Sequence, residues 1–220
     1  MTTPDWLERT SLLMGPDKME RFHRAHVLVV GTGGVGAYAA EMLVRAGIGR
    51  LTLLDADRVQ PSNINRQLCA LHSTVGEEKV RVLGLRFKDI NPELDLTVRA
   101  EFLEEHSAGA LLDSAKFDFI VDAIDTIAPK CALIEEAMKR RIRIVSRHGS
   151  RGENGYHPNP FCDLWETFHC GLSKAVRARL KRDGMRRPLP VVFCAQQADP
   201  AALVQVEGER NKKTTTGTVS

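Results

Sequence analysis

Four apolar residues, Val27–Val30, run directly into Gly31-Thr32-Gly33-Gly34-Val35-Gly36, and a helix-period segment follows. A strand that turns through this glycine spacing into a helix is a phosphate cradle. The glycines permit the tight turn and let backbone N–H groups approach an anion at the helix N-terminus. Parallel strands joined by right-handed helical crossovers accommodate such a turn, with the ligand at the carboxyl ends of the strands. The rest of the chain keeps that rhythm. Strands are expected at His26–Val30, Arg50–Asp55, Asp95–Ala100, Phe117–Ala123 and Arg141–Ser146. Helices are expected at about Gly34–Ala46, Glu77–Ile90, Glu104–Asp113 and Ala128–Arg140. The expected fold is α/β: a Rossmann-like, doubly wound, mainly parallel sheet with helices on both faces.

After Ser146 the texture changes. Residues 147–160 hold three Gly and two Pro and read as an irregular loop. A basic helix is expected over Gly171–Arg182 and a short strand over Pro190–Cys194. Residues 196–220 are polar and thinly apolar, a flexible tail to a single domain spanning 1–195. Hydrophobic content of 43% with 27% charged residues excludes a disordered chain. The start, MTTPDWLERT, leads into no apolar signal region, and no apolar run approaches the roughly 20 residues of a membrane helix. Cys69, Cys131, Cys162, Cys170 and Cys194 form no C-x-x-C pair. Scattered thiols of odd number point to a reducing cytoplasm and against a zinc site.

An acid about twenty residues beyond such glycines usually marks NAD. Here the loop continues differently. Asp55 is followed by Asp57, then by Ser62-Asn63-Ile64-Asn65-Arg66-Gln67, and twelve residues later by Lys79. Two cations beside a phosphate cradle neutralise β- and γ-phosphates, charges that NAD does not present in that form. The fourth strand ends in Asp122-Ala-Ile-Asp125-Thr126. Asp125, at the strand end, is placed to hold Mg²⁺ against the phosphates, whereas Asp122 is expected to be satisfied within the core. The cofactor expected is ATP with Mg²⁺, not NAD.

In order, G-x-G-G-x-G, L-L-D-x-D, S-N-x-N-R-Q, V-G-x-x-K, I-N-P and D-A-I-D resemble the ubiquitin-activating, ThiF-type adenylating superfamily. Within it, RTSLLMG, NINRQLCALHSTVG and VDAIDTIAPKCALI are most similar to the tRNA threonylcarbamoyladenosine dehydratase branch. The resemblance covers about Trp6 to Phe193. It implies that Gly31, Gly33, Gly34 and Gly36 receive the α-phosphate and that Asp55 binds ribose. It further implies that Ser62 to Arg66 and Lys79 line the triphosphate, that Asp125-Thr126 close the site and support Mg²⁺, and that Asp57 and Gln67 are among the cofactor-binding residues. Arg9 matches an arginine that reaches the partner subunit's phosphates, so a homodimer is implied. Arg9, Arg66, Lys79 and Asp125 are then the candidate catalytic residues.

Two substrates compete: the threonyl carboxylate of N6-threonylcarbamoyladenosine in tRNA, and the C-terminus of a ubiquitin-like sulfur-carrier protein. Paired zinc cysteines, common in activators of sulfur carriers, are missing. Between Lys174 and Arg187 stand seven cations (Lys174, Arg177, Arg179, Lys181, Arg182, Arg186, Arg187) against one acid, Asp183. That window carries +6 of a formal net charge of +3, leaving −3 elsewhere. Leu172, Val176 and Leu180 recur at i, i+4 and i+8 and should face the core. The cations would then point outward as a footprint for an RNA backbone. Arg147–Gly155 and Cys170-Gly171 depart from the branch pattern, which leaves a non-catalytic ATP-binding homologue as a further alternative.

Overall fold

The computed structural model describes residues 4–149, 160–195, 203–205 and 214–216. Helices α1 (Glu8–Met14) and α2 (Pro16–Arg24) precede strand β1 (His26–Val30). There follow α3 (Gly36–Arg45), β2 (Arg50–Leu54), α4 (Lys79–Ile90), β3 (Asp95–Arg99), α5 (Ala108–Asp113) and β4 (Phe119–Asp122). The sheet is completed by α6 (Ile127–Arg140), β5 (Arg143–His148), β6 (Phe161–Asp163), α7 (Gly171–Arg182) and β7 (Pro190–Phe193). The strand order is β3-β2-β1-β4-β5-β7-β6. Every pairing in it is parallel except β6 against β7 at the edge. This is the doubly wound, mainly parallel sheet that the sequence leads one to expect.

Alternation along the strands builds two cores. Leu28, Val30 and Ile120 face one way, into a cluster with α5, α6 and α7. Val27, Val29, Leu51 and Leu53 face the other, against α3 and α4. Burial on both faces accounts for the continuous apolar reading of β1. Chain order reverses between β1 and β4, so the crevice beyond their carboxyl ends is the ligand position of this architecture.

Several boundaries differ from expectation for local reasons. Helix α6 runs to Arg140 and closes through Arg141 in the left-handed region, φ 58°. Strand β5 therefore starts and ends two residues later, and Arg147 and His148, expected in a loop, belong to the sheet. The helix expected at 104–113 is divided into a 3₁₀ turn, Glu105–Ser107, and the short α5. The two N-terminal helices rest on few anchors. Leu7 and Met19 are buried where a β-carbon at Gly47 would lie 2.9 Å from Leu7 Cδ1. Helix α1 itself buries nothing, and Leu12 and Leu13 are 80% and 81% exposed. Within the expected tail, β8 (Leu203–Gln205) pairs antiparallel with β9 (Thr214–Thr216). The rest of that tail and loop residues 150–159 lie outside the described residues.

Candidate active site

The cradle divides into a structural half and an open half. Gly31 has φ +87°, and a β-carbon there would sit 2.8 Å from the Ala123 carbonyl oxygen. One at Gly36 would overlap the Gly31 carbonyl oxygen. These two glycines wedge the turn after β1 against the end of β4, with Ala123 N–H donating to Val30 O at 2.8 Å. Gly33 and Gly34 face outward instead. The nearest atoms to their missing β-carbons are Gln67 Nε2 at 3.9 Å and the Arg66 backbone and side chain from 3.5 Å. So the structure brings Arg66 and Gln67 to the cradle. Gln67 Oε1 is buried there without a hydrogen-bond partner, an acceptor that a bound ligand can satisfy. A backbone open at two glycines, with a cation and an unsatisfied amide across it, fits a phosphate.

Asp55 directly follows β2 and faces the same turn. Its Oδ2 accepts from Thr32 N–H at 2.6 Å and Thr32 Oγ1 at 2.8 Å, and its Oδ1 accepts from Asp57 N–H at 2.8 Å. A carboxylate has about four acceptor positions, so one remains for a ribose hydroxyl. Lys79 is the first residue of α4, its side chain only 4% exposed, and its Nζ lies 2.6 Å from Oδ2 of Asp57. Lys79, expected to line the triphosphate, thus pairs with Asp57, another of the expected cofactor-binding residues. Of the loop between them, Ser62 carbonyl and Asn65 Oδ1 accept from Arg66 Nη1 at 2.8 and 2.7 Å and aim its guanidinium. Asn63 is buried, and its Oδ1 accepts from Gln60 N–H at 3.0 Å. Ile64 packs on the core. These last two shape the loop rather than face the cradle.

On the β4 side lies a fully buried polar cluster that sequence reading did not identify. Asp122 is satisfied in the core, as expected. Its Oδ2 accepts from Ser146 Oγ at 2.5 Å and pairs with Lys130 Nζ at 2.8 Å, and its Oδ1 accepts from Ile124 N–H at 3.0 Å. Lys130 also donates to the Ile124 and Arg147 carbonyls, at 3.0 and 2.9 Å. Its three protons are therefore all placed. Burial lowers the Lys130 pKa, and the Asp122 carboxylate opposes that shift. The pair grips both backbone groups of Ile124 and so fixes the approach to exposed Asp125, whose Oδ1 lies 3.5 Å from Thr126 Oγ1. Because Ser146 gives its proton to Asp122, His148 Nε2–H must donate to Ser146 Oγ at 2.9 Å. That leaves Nδ1 unprotonated and unpartnered.

Burial, then Lys130, Arg147 and Arg177, hold the His148 pKa down to about 2. Between that value and about 6.5 the unfolded chain binds a proton that the native chain does not. Stability therefore rises with pH across the window, and this group removes about 1.4 kcal/mol per unit as pH falls below 6.5. His148→Gln is expected to flatten the acid limb of Tm against pH between 6 and 4. An unchanged slope would argue that His148 is not a neutral buried imidazole.

Arg9 is exposed on α1. Leu7 just before it packs on Gly47, ahead of β2, so the fold does not bring Arg9 to the cradle of its own chain. In α7, Val176 and Leu180 are buried and Leu172 packs on the core, as the spacing requires. The outward cation face needs correction. Arg177 Nη1 turns inward and donates to the Leu164 and Thr167 carbonyls at 3.1 and 2.9 Å, adding to the Thr167 hydroxyl that donates to Leu164 O at 2.8 Å. Arg179 is paired with Asp183 at 2.6 Å and with Glu105. Arg182 also reaches Asp183, at 3.3 Å, while Lys174, Lys181 and Arg186 are exposed. Arg187 is exposed too, with Nη1 3.4 Å from the Met138 carbonyl. All five cysteines are free. Cys170 Sγ caps α7 by accepting from Ser173 N–H at 3.3 Å, and burial pushes Cys131 up to about 12.

Fold and site together define a nucleotide-binding α/β protein with a cation- and amide-bearing loop laid across its glycine cradle. The chain belongs to the ThiF family, whose sequence profile matches residues 7–198. It is 37% identical over 185 residues to the tRNA threonylcarbamoyladenosine dehydratase of Bacillus subtilis (strain 168), covering 84% of this chain and 72% of that one. The crystal structure of E. coli tRNA N6-threonylcarbamoyladenosine dehydratase in complex with ATP superposes with a TM-score of 0.85 at 35% identity, covering 91% of this chain and 87% of that one. The molybdopterin-synthase adenylyltransferase of Haemophilus influenzae is more distant, 28% identical over 203 residues, 89% of this chain and 80% of that one.

Proposed function

We propose that this chain uses ATP and Mg²⁺ to activate the threonyl carboxylate of N6-threonylcarbamoyladenosine in tRNA, which then cyclises with loss of water. The observation that carries the reading is the Arg66-Gln67 edge lying over Gly33 and Gly34, in a chain so similar to dehydratases of that name. The backbone at Gly33-Gly34 receives the α-phosphate, and Asp55 takes one ribose hydroxyl. Arg66 neutralises charge that grows as the carboxylate oxygen bonds to the α-phosphorus and pyrophosphate leaves. Lys79 does the same after its ammonium moves off Asp57. The activated carbonyl is then attacked from within the modified base. AMP departs carrying the former carboxylate oxygen, so the elements of water leave the nucleoside within AMP and pyrophosphate rather than as free water. The described residues contain no group of three or more His, Cys, Asp or Glu able to hold a metal. Asp125 would be the residue to hold Mg²⁺, and the ion would supply charge neutralisation to the phosphates.

The reading includes a homodimer in which Arg9 serves the other copy's nucleotide. Exposed Leu12 and Leu13 beside Arg9 supply an apolar face for it. Sedimentation at twice the 24.4 kDa chain mass is the result it requires. It also sets the enzyme in the cytoplasm, with its tRNA.

The test is chemical. Intact protein, ATP and tRNA carrying the threonylcarbamoyl group should yield a nucleoside lighter by one water, with AMP released in equal amount. No lighter nucleoside, but adenylation of a carrier protein's C-terminal glycine, would replace this reading with the other adenylating one. ATP binding without pyrophosphate release would leave a non-catalytic homologue.

A further inference from the structure

At the end of the sheet opposite the cradle, a hollow of about 360 Å³ opens between the starts of β4 and β5. Its apolar floor includes Leu112, Phe117 and Ile142, and Lys116, Arg140, Arg141 and Arg143 line it. Cations at a helix C-terminus commonly do no more than offset the helix dipole. Arg140 is of that kind, since it is held by Asp113 at 2.8 Å and by Glu136. Lys116 and Arg143 are different, because they lead strands rather than end helices. No carboxylate forms an ion pair with Lys116, Arg141 or Arg143 among the described residues. Asp118, the acid of the hollow, accepts from His26 N–H at 2.9 Å through its Oδ2.

The hollow joins the basic segment that follows α7. Arg187 Nη1 approaches the Met138 carbonyl oxygen at 3.4 Å, and the Arg141 N–H donates to that same oxygen at 3.2 Å. Exposed Arg186 and Arg187 are thus continuous with Arg141, Arg143 and Lys116. The middle of α7 is not part of this band, because Arg177 is spent on carbonyls and Arg179 on two carboxylates.

Resting on the tRNA reading above, we propose that this band, centred on the hollow between β4 and β5, holds the phosphate backbone of tRNA at the end of the sheet away from the nucleotide. Five-residue strands separate the two ends by roughly 17 Å. The RNA body is then gripped at one end of the protein while its modified base reaches an adenylating site at the other. Unpaired, exposed guanidinium and ammonium groups over an apolar floor suit phosphates, whose release of counterions drives binding.

The experiment measures binding of unmodified tRNA to the full chain by fluorescence anisotropy across salt concentration, with ATP affinity by calorimetry as the control. The variant Lys116→Ala/Arg141→Gly/Arg143→Ala is expected to bind tRNA at least about tenfold more weakly at low salt, with a shallower salt dependence by two to three contacts. Its ATP affinity should be unchanged. Glycine at 141 keeps the left-handed backbone. The single charge reversal Arg143→Glu, on an exposed side chain, gives the same direction should the triple variant fold poorly. If wild type binds tRNA and these variants bind it equally well, the band is not the RNA site, though the tRNA reading stands. If wild type binds ATP and no tRNA, both fail.

Discussion

Lys79→Ala should slow ATP-dependent loss of water from the tRNA nucleoside about a hundred- to a thousand-fold, the usual effect of deleting one stabilising donor from a charge-developing site. It should do so without unfolding the chain. The ammonium is buried, but its partner Asp57 is 66% exposed, so removal leaves a carboxylate in water rather than in the core. Single-turnover nucleoside mass analysis beside a melting curve checks both halves. A loss under tenfold with an unchanged Tm would make Lys79 merely the counterion of Asp57. Asp125→Ala should be as damaging to turnover and should leave tRNA affinity where it was, as the role proposed for that side chain, toward the nucleotide's phosphates, requires.

The second large effect is on stability. Lys130→Met leaves the Asp122 carboxylate wholly buried and uncompensated, at a cost of about 3–5 kcal/mol. For a chain of this size that is a fall in Tm of roughly 6–20 °C. Adding Asp122→Asn should recover much of it. Asparagine is neutral, and its carbonyl oxygen can still accept from Ile124 N–H. Where Lys130→Met still folds at assay temperature, turnover should fall too, because the ammonium that held the Ile124 carbonyl beside Asp125 is gone. A change in Tm below about 2 °C would mean that the pair is not the brace its geometry describes.

The sheet was legible because both of its cores come from strand alternation, which is local. The cradle was legible because glycine spacing before a helix has few other uses. What escaped was non-local. Lys130 reads as an ordinary polar residue of a helix, yet eight residues of α6, itself included, are buried. Only the β4–β5 pairing, which sets Asp122 beside Ser146, explains how a lysine survives there. Arg177 looked like one more outward cation, since nothing in its neighbourhood announces the Leu164–Thr167 carbonyls that claim it. His148 was assigned to a loop because the left-handed close at Arg141, which shifts β5 by two residues, has no glycine to mark it. Asn63 carried a motif position but is consumed by a local cap, a role that its spacing from Gln60 alone could have suggested.

The division within the cradle bears on how such a protein can change its substrate. Gly31 and Gly36 are dictated by Ala123 and by each other, so their identity is a constraint of masonry and would hold with no nucleotide present. Gly33 and Gly34 meet only Arg66 and Gln67, on a loop whose ends are tied down elsewhere. Retooling that loop can therefore exchange one phosphate-bearing guest for another while the keystone between β1 and β4 stays in place. A dinucleotide binder and an adenylating enzyme can share this frame because the stones that carry the arch are not those that touch the visitor.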